Sequence, residues 1–126
     1  MKIADAAWGW TPIPEDAPHG DSLLEISEKI RAIGFEGIDY LATDESLDSW
    51  FTDENCRRLG AHARDIGLEP NVMVYQASKP WNHPDASVRE HLLKNFERCA
   101  RAASLIGCGI VSTLAPKAFG AVPWRL

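Results

Sequence analysis

The chain has 126 residues, enough for about one domain with a core of its own. It carries 13 Lys and Arg against 18 Asp and Glu, which gives a formal net charge of −5. Because nucleic-acid affinity depends on clustered Lys and Arg, and no such cluster is present, we expect no nucleic-acid partner. No apolar run approaches about 18 residues, so we expect no membrane partner either.

The cysteines and the N-terminus indicate the compartment. The cysteine count is odd and no Cys-x-x-Cys spacing occurs, which favours reduced thiols over a disulfide framework or a zinc knuckle; the residues are Cys56, Cys99 and Cys108. The segment Met1–Asp5 lacks the pattern of a secretion signal. We therefore predict a cytoplasmic protein.

The first third of the chain predicts a strand, a helix and a second strand. Lys2–Ala7 is a weak strand candidate, followed by a loop over Trp8–Asp21. A helical stripe of apolar residues comes next, at Leu23, Ile26, Ile30 and Ile33. Gly34 then predicts the end of the helix, and Ile38–Leu41 predicts a buried strand.

The same pattern recurs twice. A loop over Ala42–Thr52 leads to a second apolar stripe, at Cys56, Leu59, Ala63 and Ile66, then to Gly67 and the strand Val72–Tyr75. Asp85 is a suitable N-cap for a third helix, with its stripe at Val88, Leu92, Phe96, Cys99, Ala103 and Ile106. Gly107 and the strand Ile110–Leu114 follow.

The three helix-ending glycines lie 33 and 40 residues apart, the period of a unit of one helix and one strand. Short apolar strands that alternate with helices indicate a parallel sheet covered by helices. The predicted fold is therefore α/β, with four strands and three helices in strict alternation.

Candidate functional residues lie on or near the loops that follow the strands, where α/β folds concentrate function. All five tryptophans fall on these loops, and a tryptophan face suits the apolar side of a sugar ring. We predict substrate binding by Trp8, Trp10, Asp39, Gln76 and His83. No converging set of metal ligands is recognisable in the chain, nor is a phosphate-binding or nucleophile motif.

Three segments carry a resemblance to a known family: Ile33–Tyr40, Ala63–Leu68 and Ala100–Cys108. Their order and spacing resemble the N-terminal half of the xylose isomerase-like TIM-barrel superfamily of sugar (phosphate) isomerases and epimerases. The resemblance implies a β1-α1-β2-α2-β3-α3-β4 half of a (β/α)8 barrel. Because a closed barrel takes about 250 residues, residues 1–126 are expected to be a partial domain, truncated at its C-terminus.

The resemblance also implies an activity, that of a divalent-metal-dependent isomerase or epimerase. In such enzymes Mn²⁺, Mg²⁺ or Co²⁺ grips two oxygens of a sugar or polyol, and carboxylates move a proton through an enediolate. The metal ligands and both carboxylates come largely from the second half of the barrel, so none is assigned in this chain. Asp39 stands where the family more often has Glu.

Three alternatives stay open. The first is a stand-alone half-barrel that forms a homo-oligomer through the unprotected strands Lys2–Ala7 and Ile110–Leu114. The second is a DNA-repair enzyme similar to endonuclease IV, which the charge disfavours, as do Gln76 and Thr113 near the positions where that branch has metal-binding His. The third is an open flavodoxin-like domain, disfavoured by a first loop rich in Pro rather than Gly.

Overall fold

A computed structural model of the protein describes residues 3–7 and 22–114. Within these ranges strands and helices alternate along the chain. The elements are β1 (Ala4–Ala6), α1 (Ser22–Ile33), β2 (Gly37–Thr43), α2 (Asp44–Ser49), α3 (Asp53–Asp65), β3 (Glu69–Gln76), α4 (Ala86–Ile106) and β4 (Ile110–Thr113).

The four described strands form one parallel sheet in the order β1-β2-β3-β4. Parallel neighbours need a crossover connection, and here helices supply it. Neighbours in sequence are therefore neighbours in the sheet, as in a (β/α)8 barrel. The predicted fold class, an α/β half-barrel, is confirmed.

The core lies between the sheet and the helices. Alternate residues of β2, namely Ile38, Tyr40 and Ala42, are fully buried on the helix-facing side. On β4, Val111 packs against this core, whereas its neighbour Ile110 is 54% exposed. Since successive strand residues point to opposite faces, Ile110 lies on the face that the core leaves uncovered.

Glycine ends the helices as the sequence predicts. Gly34, Gly67 and Gly107 have φ angles of 110°, 82° and 101°, which is the left-handed region that L side chains rarely adopt. Asp85 also acts as the N-cap of α4, since its carboxylate accepts a hydrogen bond from the amide of Ser87. Helix boundaries were therefore the most predictable local features.

Two local predictions were wrong. Residues 44–49, expected as loop, form the short helix α2, which a capping box between Thr43 and Ser46 initiates. Six residues are too few to show an apolar period, so the pattern missed it. Ile33, assigned to the buried stripe of α1, closes the last turn of that helix and is 63% exposed.

The contact between α3 and α4 depends on one glycine. A Cβ atom at Gly60 would lie 2.1 Å from the carbonyl oxygen of Ile106, so only hydrogen fits there. This close approach brings α3 against the end of α4 and fixes the helix layer over the sheet.

We expect Gly60→Ala to lower the free energy of unfolding by about 2 kcal/mol or more, because the backbone of Ile106 must shift to admit a methyl group. Urea denaturation measures this. Gly109→Ala is the matched control, since a Cβ there meets nothing within 4 Å. Equal effects of the two substitutions would contradict the close-approach interpretation.

Candidate functional site

The carboxyl ends of the strands share one edge of the sheet. Thr43 ends β2 opposite Gln76 at the end of β3, and Tyr75 pairs with Thr113 at the end of β4. The connections that leave this edge include α2 and residues 77–85. In parallel β/α folds these connections build the binding site, because they converge above the open end of the sheet.

Gln76 lies at this edge, as predicted. It is the last residue of β3, its side chain is exposed, and it shares a sheet face with Val74. The neighbouring residue Tyr75 points instead into the helix-facing core. Gln76 therefore presents an amide, with both donor and acceptor atoms, on the side of the sheet away from the helices.

His83 lies in the loop from β3 to α4 and is half-buried. Its Nδ1 accepts a hydrogen bond from the amide of Asp85 at 3.1 Å, so a neutral ring carries its proton on Nε2. Arg89 fixes the loop, because its Nη1 donates to the carbonyl oxygens of His83 at 2.6 Å and of Pro84 at 2.8 Å. The Asp85 amide therefore restrains the imidazole, and Arg89 restrains the backbone that carries it.

Asp39 does not reach this edge. It is the third of seven residues in β2, about 13 Å along the strand from Thr43. Its Oδ1 accepts hydrogen bonds from the amide of Val72 at 3.1 Å and from Nδ2 of Asn71 at 2.9 Å. The register shifts by one residue at this point, so the Asp39 carboxylate is engaged at a strand irregularity.

The structure thus brings Gln76 and His83 to one edge and leaves Asp39 lower in the sheet. Trp8 and Trp10, the other predicted substrate-binding residues, lie outside the described residues.

A partly buried polar network lies at the same edge and was not predicted from the sequence. Asp44, the first residue of α2, accepts hydrogen bonds at Oδ1 from the hydroxyl of Tyr75 and from Nδ2 of Asn95, the latter at 2.9 Å. Asn95 is 2% exposed, although it lies on a helix with charged neighbours. Its Oδ1 accepts from Nη1 of Arg98 at 2.9 Å. We call Asp44, Tyr75, Asn95 and Arg98 the Asp44 network.

Arg98 extends the network to the rest of α2. Its Nη1 lies 2.7 Å from Oδ1 of Asp48, and its Nη2 donates to the carbonyl oxygen of Leu47 at 2.7 Å. On the other side of the network, Nδ2 of Asn95 lies 3.1 Å from Nε2 of His91. The network therefore fastens α2 onto α4 and fixes the connection that follows β2.

The network keeps Asp44 ionised. Burial alone would raise the pKa of Asp44, but hydrogen bonding by the side chains of Ser78, Tyr75 and Asn95 holds that pKa below its usual range. Burial and the adjacent carboxylate raise the pKa of Tyr75, so its phenol stays protonated and donates. The carboxyl edge of β2 thus carries a fixed negative charge.

An aromatic cluster covers the end of β4. The Trp81 ring lies edge-to-face with Tyr75 at 5.9 Å and with Phe96 at 6.1 Å between centroids. The indole Nε1 donates to Oγ1 of Thr113 at 3.3 Å. An open apolar groove of about 260 Å³ lies beside this cluster and is lined by Trp81, Leu93, Phe96 and Thr113.

A larger cavity of about 350 Å³ lies at the opposite edge, among the turns that precede the strands. Arg64, which lines it, donates to the carbonyl oxygen of Ile106 at 2.9 Å and so helps to hold the end of α4. In β/α barrels this edge serves stability, and the active site lies at the carboxyl edge. We therefore place the candidate site at the carboxyl edge, although the cavity at the opposite edge is larger.

The xylose isomerase-like TIM barrel family matches the chain over residues 27–123. The chain belongs to this family. The parallel sheet and its helices are then half of a TIM barrel, and the family contains isomerases, epimerases and related enzymes. No curated protein matches the chain at a significant level.

The divalent metal that the family implies has no fitting donor set in residues 3–7 and 22–114, where no three His, Cys, Asp or Glu side chains converge.

The cysteines do not supply reactive thiolates. All three are free, and burial raises the pKa of Cys56 to about 11 and the pKa values of Cys99 and Cys108 to about 12. In the described part of the chain, no helix is long and apolar enough to cross a membrane.

We expect Asp44→Asn to lower the free energy of unfolding by about 1 kcal/mol at pH 7, because hydrogen bonds to a partly exposed carboxylate exceed those to an amide by about this amount. The folded-state pKa is depressed, so this contribution is complete above about pH 4, the unfolded pKa, and disappears as the pH falls through the folded value. Urea denaturation at pH 7, 4 and 2.5 measures it.

Glu45→Gln is the control for this experiment, since Glu45 occupies the same first turn of α2 but is exposed. We expect a change of a few tenths of a kcal/mol there. A difference between wild type and Asp44→Asn that persists undiminished at pH 2.5 would show that the charge of Asp44 is not its source.

Proposed function

We propose that this chain supplies the N-terminal part of the substrate-binding wall of a sugar or sugar-phosphate isomerase or epimerase. Family membership and the placement of Gln76 and His83 at the carboxyl edge of the half-barrel support the proposal. The observation that carries it is the imidazole of His83, whose Nδ1 accepts a hydrogen bond from the amide of Asp85 on a loop of that edge.

The chemistry of these groups suits a polyol. A hydroxyl group both donates and accepts hydrogen bonds, and the Gln76 amide offers partners for both. The His83 imidazole lies at the same edge, with its Nδ1 bound to the amide of Asp85. Because Arg89 and Asp85 already order the loop, binding need not fix it, so less conformational entropy is lost when a sugar is held.

The residues that transfer the proton are proposed to lie outside the described part of the chain. Asp39 is engaged in the strand irregularity and Asp44 in its network, and neither is offered as the base that removes a proton next to a carbonyl. The ligands of the divalent metal that the family implies are likewise proposed to come from outside residues 3–7 and 22–114.

We expect His83→Ala and Gln76→Ala each to weaken the binding of a free ketohexose, D-fructose, by about threefold to tenfold, the value of one hydrogen bond. Nuclear magnetic resonance titration of the 126-residue chain measures the dissociation constants. Glu36→Ala, at the opposite edge, is the control and should leave binding unchanged.

Wild-type chain that shows no saturable binding of D-fructose or of other ketoses would contradict the proposed function. Equal weakening by Glu36→Ala would move the site to the opposite edge and contradict the assignment of His83 and Gln76.

A second candidate function, a half-barrel that associates with a copy of itself, is favoured by the exposed side chains of β4. Ile110 is 54% exposed, and Leu114, directly after the strand, is 48% exposed. Among the described strands β4 pairs with β3 alone, and an edge strand is where a further strand can add.

If this second candidate is correct, Ile110→Lys should convert an associated chain into a monomer, because a charge at an edge strand opposes further pairing. Size-exclusion chromatography with light scattering measures the mass. Ile33→Lys is the control, since Ile33 is 63% exposed at the end of α1, away from β4. A wild-type chain that is monomeric at all concentrations tested would exclude this candidate.

A further inference from the structure

We propose that the amino edge of the sheet carries a repeated arginine clamp, in which an arginine at the end of one helix holds the end of the next helix. Arg31 in α1 clamps α3, and Arg64 in α3 clamps α4. The clamp is a conformational device that joins successive β/α units, and it is independent of the proposed function because no ligand takes part in it. Two separate instances of the same geometry carry the proposal.

The first instance joins α1 to α3. Arg31, in the last turn of α1, donates from Nε to the carbonyl oxygen of Ile66 at 3.1 Å. Its Nη1 donates to the carbonyl oxygen of Phe35, also at 3.1 Å, in the turn that leads into β2. Ile66 is the C-cap of α3. The guanidinium of one helix therefore bonds a carbonyl group at the end of the next helix, where carbonyl groups lack partners within the helix.

The second instance repeats this arrangement between α3 and α4. Arg64, in the last turn of α3, donates from Nη1 to the carbonyl oxygen of Ile106 at 2.9 Å. Ile106 is the last residue of α4 and precedes its C-cap, Gly107. The last turn of α4 contains no basic residue of its own. Arg64 therefore supplies, from the neighbouring helix, the positive charge that stabilises the negative end of a helix dipole.

The sequence has the same spacing at both places. Each arginine lies three residues before the glycine that ends its own helix, the pairs being Arg31 with Gly34 and Arg64 with Gly67. Each arginine also reaches the glycine that ends the following helix. A Cβ atom at Gly67 would lie 3.3 Å from Nε of Arg31, and one at Gly107 would lie 2.9 Å from Nη1 of Arg64. Glycine at these helix ends thus also leaves room for the arginine of the preceding unit.

The clamp acts between units, so its loss should be felt at the end of the next helix. Without the guanidinium, that end loses a charged hydrogen-bond donor and a favourable interaction with the helix dipole. Its last turn should then open more often, while the rest of the sheet keeps its packing. Because both arginines are exposed, we expect a local effect and not the unfolding of the half-barrel.

Backbone hydrogen exchange of the 126-residue chain tests the clamp, with each arginine replaced in turn by glutamine, which has a similar helix propensity. We expect Arg64→Gln to speed exchange about threefold to tenfold in the last turn of α4 and at Gly107, the equivalent of about one hydrogen bond. Arg31→Gln should act in the same way on the last turn of α3 and on Gly67. Each substitution should have its largest effect at the helix end that its own arginine holds.

Arg57→Gln is the matched control, because Arg57 is an exposed arginine of the same helix α3 but lies beside Asp53 at its other end. It should leave exchange at both helix ends unchanged. Faster exchange spread evenly over the chain after Arg31→Gln or Arg64→Gln would show a general loss of stability and would overturn the proposal. Unchanged exchange at the end of α4 after Arg64→Gln would overturn it as well.

A double-mutant cycle tests whether the arginine and the glycine of neighbouring units act as a pair. A methyl group at Gly107 must displace Nη1 of Arg64, the atom that bonds Ile106. We therefore expect Arg64→Gln to raise the equilibrium constant of unfolding about threefold in the wild type, but less than about 1.5-fold when Gly107→Ala is present. Urea denaturation measures both values.

Gly34→Ala is the matched background for this cycle. Its φ angle of 110° is close to the 101° of Gly107, but a Cβ atom there meets nothing within 4 Å. Arg64→Gln should keep its full, about threefold effect in the Gly34→Ala background, because the clamp is intact there. Equal effects of Arg64→Gln in the two glycine backgrounds would overturn the pairing of Arg64 with Gly107.

Discussion

The buried amide of Asn95 holds the carboxyl edge of this half-barrel together. An amide that is 2% exposed must satisfy its donors and acceptor internally, and Asn95 does so with Asp44 on one side and Arg98 on the other. Through these two residues α4 fixes α2, and α2 fixes the connection that leaves β2. The position of α2, and of the connection that leaves β2, depends on this interaction.

The fold was predictable because its signals are local. Apolar spacing marks the helices, glycine marks their ends, and short apolar runs mark strands that helices cover, so a parallel α/β sheet follows. The order of the segments around Gly34, Gly67 and Gly107 also indicated the barrel family, and this family matches the chain over residues 27–123. Helix α2 escaped this reasoning because it is one short turn whose stability comes from its cap and from α4.

The candidate site was predictable only in part. Gln76 and His83 follow a recognisable strand, so their edge could be inferred from the sequence. Asp39 also lies in a recognisable strand, but only the register irregularity shows that its carboxylate pairs with the amide of Val72. Asp44 and Asn95 are 51 residues apart, and no local pattern joins them. One signal was available: Asn95 continues the apolar stripe of α4 between Leu92 and Cys99.

The most direct test of this account is a map of backbone amide chemical shifts on titration with D-fructose. The account predicts that the largest saturable changes fall at the carboxyl edge, in residues 76–83, with smaller ones at the start of α2. Changes concentrated instead around Arg64, Gly67 and Gly107, at the cavity of the opposite edge, would contradict it.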